Sequence, residues 1–489
     1  MKKIIIYIVS LTALFAFSSC EDFLDKRPET SVGSEDAITT IDDAKLALNG
    51  VYAHFKSPYY YGRNMVVIPD IMTDAVLAIV GYSNTYGILH QWTFNAGDGD
   101  IEKFWVAIYA AIANASFLIE KIDDVPGDPV VIGNIKGQAL LARAIAHFDL
   151  VRMFAKTYDS TTASTDLGVP VITKFEVGQP PRNTVEEVYT RIILDATEAL
   201  SLITDDNADA VTFTKGAVNA FLARVYLTMK NYDKAIEHSS AVIANTKYAL
   251  AEISTFNNMF LNDRGNEIIW KVAITAADAA NLTPGRPYYN NAQGNPNPDY
   301  MPTTEMLGLF NATTDIRHST YFRNAQTVYG WAGMLVNKYP TNPLFASVTN
   351  ANGANMPKVF RLAEQYLIRA EAYAEKGGAN EALALADLNT LRSKRITGYT
   401  NTSLTGNALK DGIWVERRKE LAYEGHYWFD LKRKKLGFTR ETQTPQPNAV
   451  PGANFDKLTV TPTNDRWLFP IPQSEINANS NINANNPGY

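Results

Sequence analysis

The sequence predicts a mostly α-helical fold, a superhelix of about four helical hairpins carrying an irregular, loop-rich half. Three observations carry that expectation. Apolar residues recur at helical spacing through most of the chain, two segments share the small-residue register of stacked hairpins, and long Pro-, Asn- and Tyr-rich stretches interrupt the pattern. With 489 residues, 46% of them hydrophobic and 20% charged, there is ample material for a packed core. Lysine and arginine number 45 against 51 acidic residues, a net charge of −6. That balance disfavours nucleic acid as the main partner, because phosphate binding needs a basic face. One cysteine permits neither an internal disulfide nor a Cys-rich zinc or iron–sulfur site. No uninterrupted run of about 18 apolar residues occurs, which argues against a multi-span membrane protein.

The N-terminus reads as an export signal. Met1, Lys2 and Lys3 are a short basic start, Ile4 to Phe17 is apolar apart from Ser10 and Thr12, and Ser18-Ser19-Cys20 closes the segment with small residues. Its core is too short to span a bilayer as a helix. The sole cysteine, placed there, resembles a lipobox, in which the Cys20 thiol is acylated and cleavage after Ser19 leaves it as the first mature residue. Acyl chains worth ~0.8 kcal/mol per buried CH₂ make a durable anchor. Loss of Lys2 and Lys3 leaves 43 basic against 51 acidic residues, or −8, so anionic lipid does not hold the body and the anchor must. Residues 20–33, acidic and then broken by Pro28, read as a tether, and 34–489 as a single domain.

A helix over 34–55 pairs with one over 101–121 in the first hairpin, near 34–121. Residues 137–156 are apolar on nearly every side, with Arg143, Asp149 and Arg152 as polar breaks, so this helix must be covered on several faces. Thr184 and Glu187 form a capping box that opens a helix through Leu202, completing a hairpin near 137–202. In 214–244, Ala223 and Tyr226 precede an Asn231-Tyr232 turn and Ala235; in 361–395, Ala370, Tyr373, Gly377-Gly378 and Ala382 fall at the same offsets. Small residues there let paired helices approach while the tyrosine fills the wedge between hairpins, which is the physical content of the tetratricopeptide pattern. Excursions at 57–100, 276–357 and 437–465 do not repeat, and loops this long are usually functional.

Seven segments together resemble the SusD/RagB family of outer-membrane nutrient-binding lipoproteins of Bacteroidetes. They are Cys20 to Asp25, Ala142 to Arg152, Arg182 to Tyr189, Arg361 to Glu371, Glu416 to Arg433, Leu468 to Asn477, and Asn486 to Tyr489. Their order and spacing cover nearly the whole chain. The resemblance implies a tetratricopeptide-type scaffold with an irregular ligand-binding half. It also implies a partner, a SusC-like TonB-dependent barrel in the outer membrane whose extracellular mouth the lipoprotein covers, and a glycan as usual cargo, with peptides in some members.

Signatures of catalysis are scarce. There is no His-Glu-x-x-His, Walker loop or Gly-x-Ser-x-Gly elbow, and Gly81 to Thr85 fails the last at Thr85. His147, on an apolar helix, reads as a hydrogen-bonded core residue. Asp205, Asn207 and Asp209 begin like a calcium loop, but Ala210 and Gly216 stand where glycine and the closing glutamate belong. No catalytic residue, metal or cofactor is therefore expected. The run Lys432 to Lys435 reads as a solvated helix end. Loop aromatics are the better clue, since a sugar presents an apolar C–H face that stacks on flat rings and a hydroxyl rim that bonds to amides and carboxylates. The candidates are Trp92, Tyr82 and Tyr86 with Asp74 and Asn84, then Tyr288 and Tyr289 beside Asn290 and Asn291, then Tyr329 and Trp331. A non-catalytic binder of oligosaccharide or polysaccharide fragments fits these residues, with a surface glycoside hydrolase, a peptide-binding member of the same family and a pure interaction scaffold as alternatives.

Overall fold

Helix α1 (Ile41–Phe55) opens on a capping box. Thr40 Oγ1 accepts from the Asp43 amide at 3.2 Å and Asp43 Oδ2 accepts from the Thr40 amide at 2.9 Å. The computed structural model describes residues 37–204, 209–289, 295–442, 450, 454–455 and 457–489. The export signal, Cys20, the tether, Asp205, Asn207, Asn290 and Asn291 lie outside the described residues. Helix α1 packs on α2 (Gly99–Ile122), whose first amides bond to the Asp98 carboxylate. Among the described residues α2 is the one helix long and apolar enough to cross a bilayer, yet it lies between α1 and α3 (Pro129–Phe154).

Every residue of α3 from Gly137 to Phe154 is buried, because α1, α2 and α4 (Val185–Leu202) cover it, as its all-round apolarity requires. Its polar breaks are each paired, since an unpaired buried charge is costly. Arg143 forks onto Asp195 with two bonds of 2.8 Å, Asp149 accepts from the Tyr60 hydroxyl at 2.6 Å, and Arg152 pairs with Asp149. His147 is held between the Arg143 carbonyl at 3.0 Å and the Ile172 amide, which donates to Nε2 at 3.1 Å. Burial lowers its pKa to about 4, so it is a neutral core residue. The Thr184–Glu187 capping box opens α4 where the spacing predicts.

Helices α5 (Lys215–Thr228) and α6 (Tyr232–Ile243) form the next hairpin, α7 (Leu362–Lys376) and α8 (Asn380–Ser393) another, with α6 against α7 and α9 (Gly406–Glu420) across α7 and α8. In the α5–α6 hairpin Ala223 and Ala235 are buried together as expected. In the α7–α8 hairpin Ala382 is exposed, and Ala384 meets Ala370 and Ala374 instead. Both helices there run one residue further between contact and turn, which shifts the register. The basic run is corrected too. Lys432 is buried, donating to the carbonyl of Ala155 at 2.9 Å, and Arg433 is locked onto Glu371 and Asp430. A solvated end would require those cations to face water; only Lys434 and Lys435 reach it.

The strands are short: β1 (Val76–Ala78), β2 (Ile268–Lys271), β3 (Tyr300–Pro302), β4 (Phe322–Gln326), β5 (Ala332–Val336), β6 (Lys358–Arg361), β7 (Phe438–Arg440) and β8 (Leu458–Val460). They pair antiparallel as β1–β3, β2–β6, β4–β5 and β7–β8. These pairings stitch the three excursions together. The β1–β3 ladder joins the first to the second, and the Val450 amide, from the third, donates to the Ala78 carbonyl at 3.0 Å.

Beneath them lies a buried charge network centred on Glu420, the last residue of α9. Its carboxylate accepts from Arg361 at 2.9 Å and from Arg317 and Arg395 at 3.0 Å, and all four groups are buried. Arg361 and Arg395 also share Glu267, while Arg317 binds Asp315 and Glu416. Burial alone would push the Glu420 pKa up, but Arg395, Arg361 and Arg317 outweigh it and hold the carboxyl well below its usual range.

Glu420→Ala would take one carboxylate from each of three buried guanidinium groups, leaving them only Glu267, Asp315, Glu416 and Glu424, and chemical denaturation should show a loss of about 3–5 kcal/mol. A carboxylate whose folded pKa is depressed contributes its full stabilisation above the unfolded value of about 4.3 and loses it as pH falls through the folded value. Wild-type stability should therefore fall below about pH 4, with a shallower acid slope in Glu420→Gln.

Candidate functional site

The β4–β5 hairpin projects a five-residue tip, Thr327 to Trp331, toward the loop after β1. Thr327 closes the tip by donating both its amide, at 2.8 Å, and its hydroxyl, at 2.9 Å, to the Trp331 carbonyl. The Val328 amide bonds to the Pro296 carbonyl at 3.0 Å, which pins the tip to the Pro-rich stretch before β3. Tyr329 then reaches back and donates to the Gly81 carbonyl at 2.7 Å, beside the Asn297 side-chain oxygen. Its ring lies on the Gly81 backbone: φ there is +96°, and a Cβ would stand 2.5 Å from the ring. Trp331 similarly covers Gly333, where a Cβ would come within 2.9 Å of the indole.

Tyr82 completes the surface. It packs edge-on against Tyr300 and Phe455, with centroids 6.4 and 5.7 Å away, and its hydroxyl donates to Asn84 Oδ1 at 2.7 Å. Asn84 is exposed in the left-handed region, φ 64°, which asparagine tolerates. Under these rings sit Leu77, Ile79, Tyr289, Met301 and Leu335, a small apolar cluster separate from the main core. Asp299 braces the loop, accepting from the Ser83 amide at 2.6 Å and hydroxyl at 2.9 Å. Burial raises its pKa, and the Ser83 amide offsets part of that rise.

The structure thus brings together Tyr82, Asn84, Tyr329 and Trp331, half-buried or exposed, with Tyr289 at their base. Four other candidates are placed elsewhere. Trp92 is 5% exposed, donates Nε1 to the Met72 carbonyl at 2.6 Å and packs against Trp467 at 4.8 Å, leaving no face for a ligand. Tyr86 is buried with its hydroxyl on Asn64 at 2.6 Å, and Tyr288 is buried against Tyr423. Asp74 is tied to Arg418 at 2.9 Å. Trp92, Tyr86 and Tyr288 are buried, and Asp74, half-buried, is held in its ion pair with Arg418, so these four do not form an open binding surface. Sequence reasoning also missed Asp299, Phe455 and Arg323, whose guanidinium sits 4.9 Å over the Tyr289 ring. One signal bears on the two Trp candidates: Tyr329 and Trp331 flank Gly330, a turn residue, whereas Ile88 to Phe94 contains no glycine or proline. Among the described residues no group of His, Cys, Asp and Glu is arranged to hold a metal.

The helical scaffold thus brings two excursions together at these half-exposed rings. Comparison with known proteins gives the family. Residues 285–489 match the SusD family, and residues 22–227 match a family described as starch-binding associating with outer membrane. The chain belongs to this SusD/RagB and SusD-like group. It is 27% identical to SusD-like protein P2 of Formosa agariphila over the full length of both. The crystal structure of a SusD superfamily protein from Bacteroides thetaiotaomicron VPI-5482 superposes with a TM-score of 0.81 at 28% identity, covering 92% of this chain and 100% of the other. A SusD-like carbohydrate binding protein from Bacteroides vulgatus ATCC 8482 superposes at 0.77 with 23% identity, covering 91% and 98%.

The two tryptophans should separate in denaturant titrations. Trp92→Ala should cost about 3–5 kcal/mol, as large core truncations do, and Trp331→Ala about 1 kcal/mol or less.

Proposed function

We propose that the protein is a lipid-anchored, surface-exposed binder that captures oligosaccharide or polysaccharide fragments on the Tyr82–Tyr329–Trp331 platform and passes them to a SusC-like TonB-dependent barrel. The observation that carries this reading is the convergence of rings from two excursions, one in each matched segment of the chain, onto one face beside an exposed amide. The rings supply the apolar contact that a sugar face needs, and Asn84 supplies hydrogen-bonding groups. The starch-binding description of the family matched by residues 22–227 supports carbohydrate as the ligand class and the outer membrane as the place. Cys20, at the end of the apolar leader, supplies the anchor in this reading. Capture in this reading is non-catalytic and reversible, and the Asp299 carboxylate is engaged by Ser83.

Native gel retardation across a polysaccharide panel tests the platform. Each half-exposed ring contributes about 1 kcal/mol by stacking, so Trp331→Ala and Tyr82→Ala should each weaken binding roughly fivefold. Retention of full binding by both variants would remove this site. Detergent extraction of native membranes tests the partner: a barrel-sized companion should co-purify, and a lone monomer would count against delivery to a transporter.

A further inference from the structure

The platform carries a basic side chain, Arg323, that meets no carboxylate among the described residues. Arg317, Arg361, Arg395 and Arg433 each meet a carboxylate within 3.0 Å. Arg323, exposed on β4, has no such partner among the described residues; its contact is the Tyr289 ring beneath it. Side chains alternate along a strand, so Arg323 shares its face with Ala325. Across the ladder those two oppose Leu335 and Gly333, and Gly333 is the residue that Trp331 covers. Arg323 and Gly333, the residue that the indole covers, therefore share one face of the hairpin, with backbone positions about 7 Å apart along the strand by its rise per residue. Arg323 is exposed with its guanidinium carbon 4.9 Å from the Tyr289 ring centroid, and a guanidinium presents a fork of N–H donors suited to a two-point bond to a carboxylate or sulfate.

We propose that the platform takes acidic saccharides, sugars bearing a carboxylate or a sulfate ester, and that Arg323 is the residue that reads the acidic group. This rests on the saccharide reading of the platform. The chain's net charge of −6 gives no general attraction for polyanions, so preference for them must arise locally.

Dextran and dextran sulfate provide a neutral and sulfated pair on one backbone, and polygalacturonate provides the carboxylate arm. In native gels containing each, the wild-type chain should be retarded more by dextran sulfate or polygalacturonate than by dextran, and the stronger of the two polyanions identifies the acidic group. Arg323→Gln should weaken that binding roughly tenfold, the effect of losing a hydrogen-bonded charge. Arg264→Gln removes the same charge from a separate cleft, beside Asn262 and Asn266, and should leave binding unchanged. Thermal melts matching the wild type would show that both variants fold. Equal retardation by all three polymers, or an Arg323→Gln variant as avid as the wild type, overturns the assignment. The saccharide reading survives that outcome if neutral glycans from the wider panel still bind and Trp331→Ala weakens them; absence of binding to every polysaccharide overturns both.

Discussion

One buried carboxylate organises this molecule. Glu420 ends α9, and the three guanidinium groups on it come from the end of β6, from the short helix Ile316–Tyr321 and from the turn after α8. Its main-chain carbonyl accepts three more bonds, from Tyr321, Lys338 and Arg361. Segments far apart in sequence are thus fastened at one point. Taking four charges out of water is expensive, and the cost is offset only in an arrangement that satisfies all of them together. Such a network contributes specificity of arrangement, which the irregular half needs because its ladders are only three to five residues long.

That rigidity reaches the platform by a short route. Arg361 closes β6, which pairs with β2, and Tyr321 immediately precedes β4, whose hairpin carries Tyr329 and Trp331. The hairpin is anchored at its base by buried charge and at its tip by the Tyr329 bond to Gly81. Under the proposed function the rings are held before any ligand arrives, which lowers the ordering cost of binding.

The scaffold was legible because helices announce themselves locally. The Thr184–Glu187 box and the all-round apolarity of Gly137 to Phe154, broken at Arg143, Asp149 and Arg152, depend on neighbours three or four residues away, and both appear in the structure as the spacing implies. Ala223 and Ala235 are buried together as their spacing implies, but Ala382 is not the contact in the later hairpin, since one more residue on each side of a turn leaves composition unchanged while moving the contact to Ala384. Lys432 and Arg433 look like a solvated helix end in sequence, yet the carbonyl of Ala155 and the carboxylate of Glu371 lie roughly 280 and 60 residues away.

By itself, then, the chain's order of residues determined the helical class, the hairpin partners and the stretches that leave the repeat. Tertiary structure alone decided which aromatic rings remain open. Trp92 and Trp331 are the same side chain in loops of similar polarity, but one is enclosed by Trp467, Phe438 and Phe94 while the other rests on a glycine at a hairpin tip. Burial is a property of what the whole chain places around a residue, and the groups that cover Trp92 come mainly from the opposite end of the sequence.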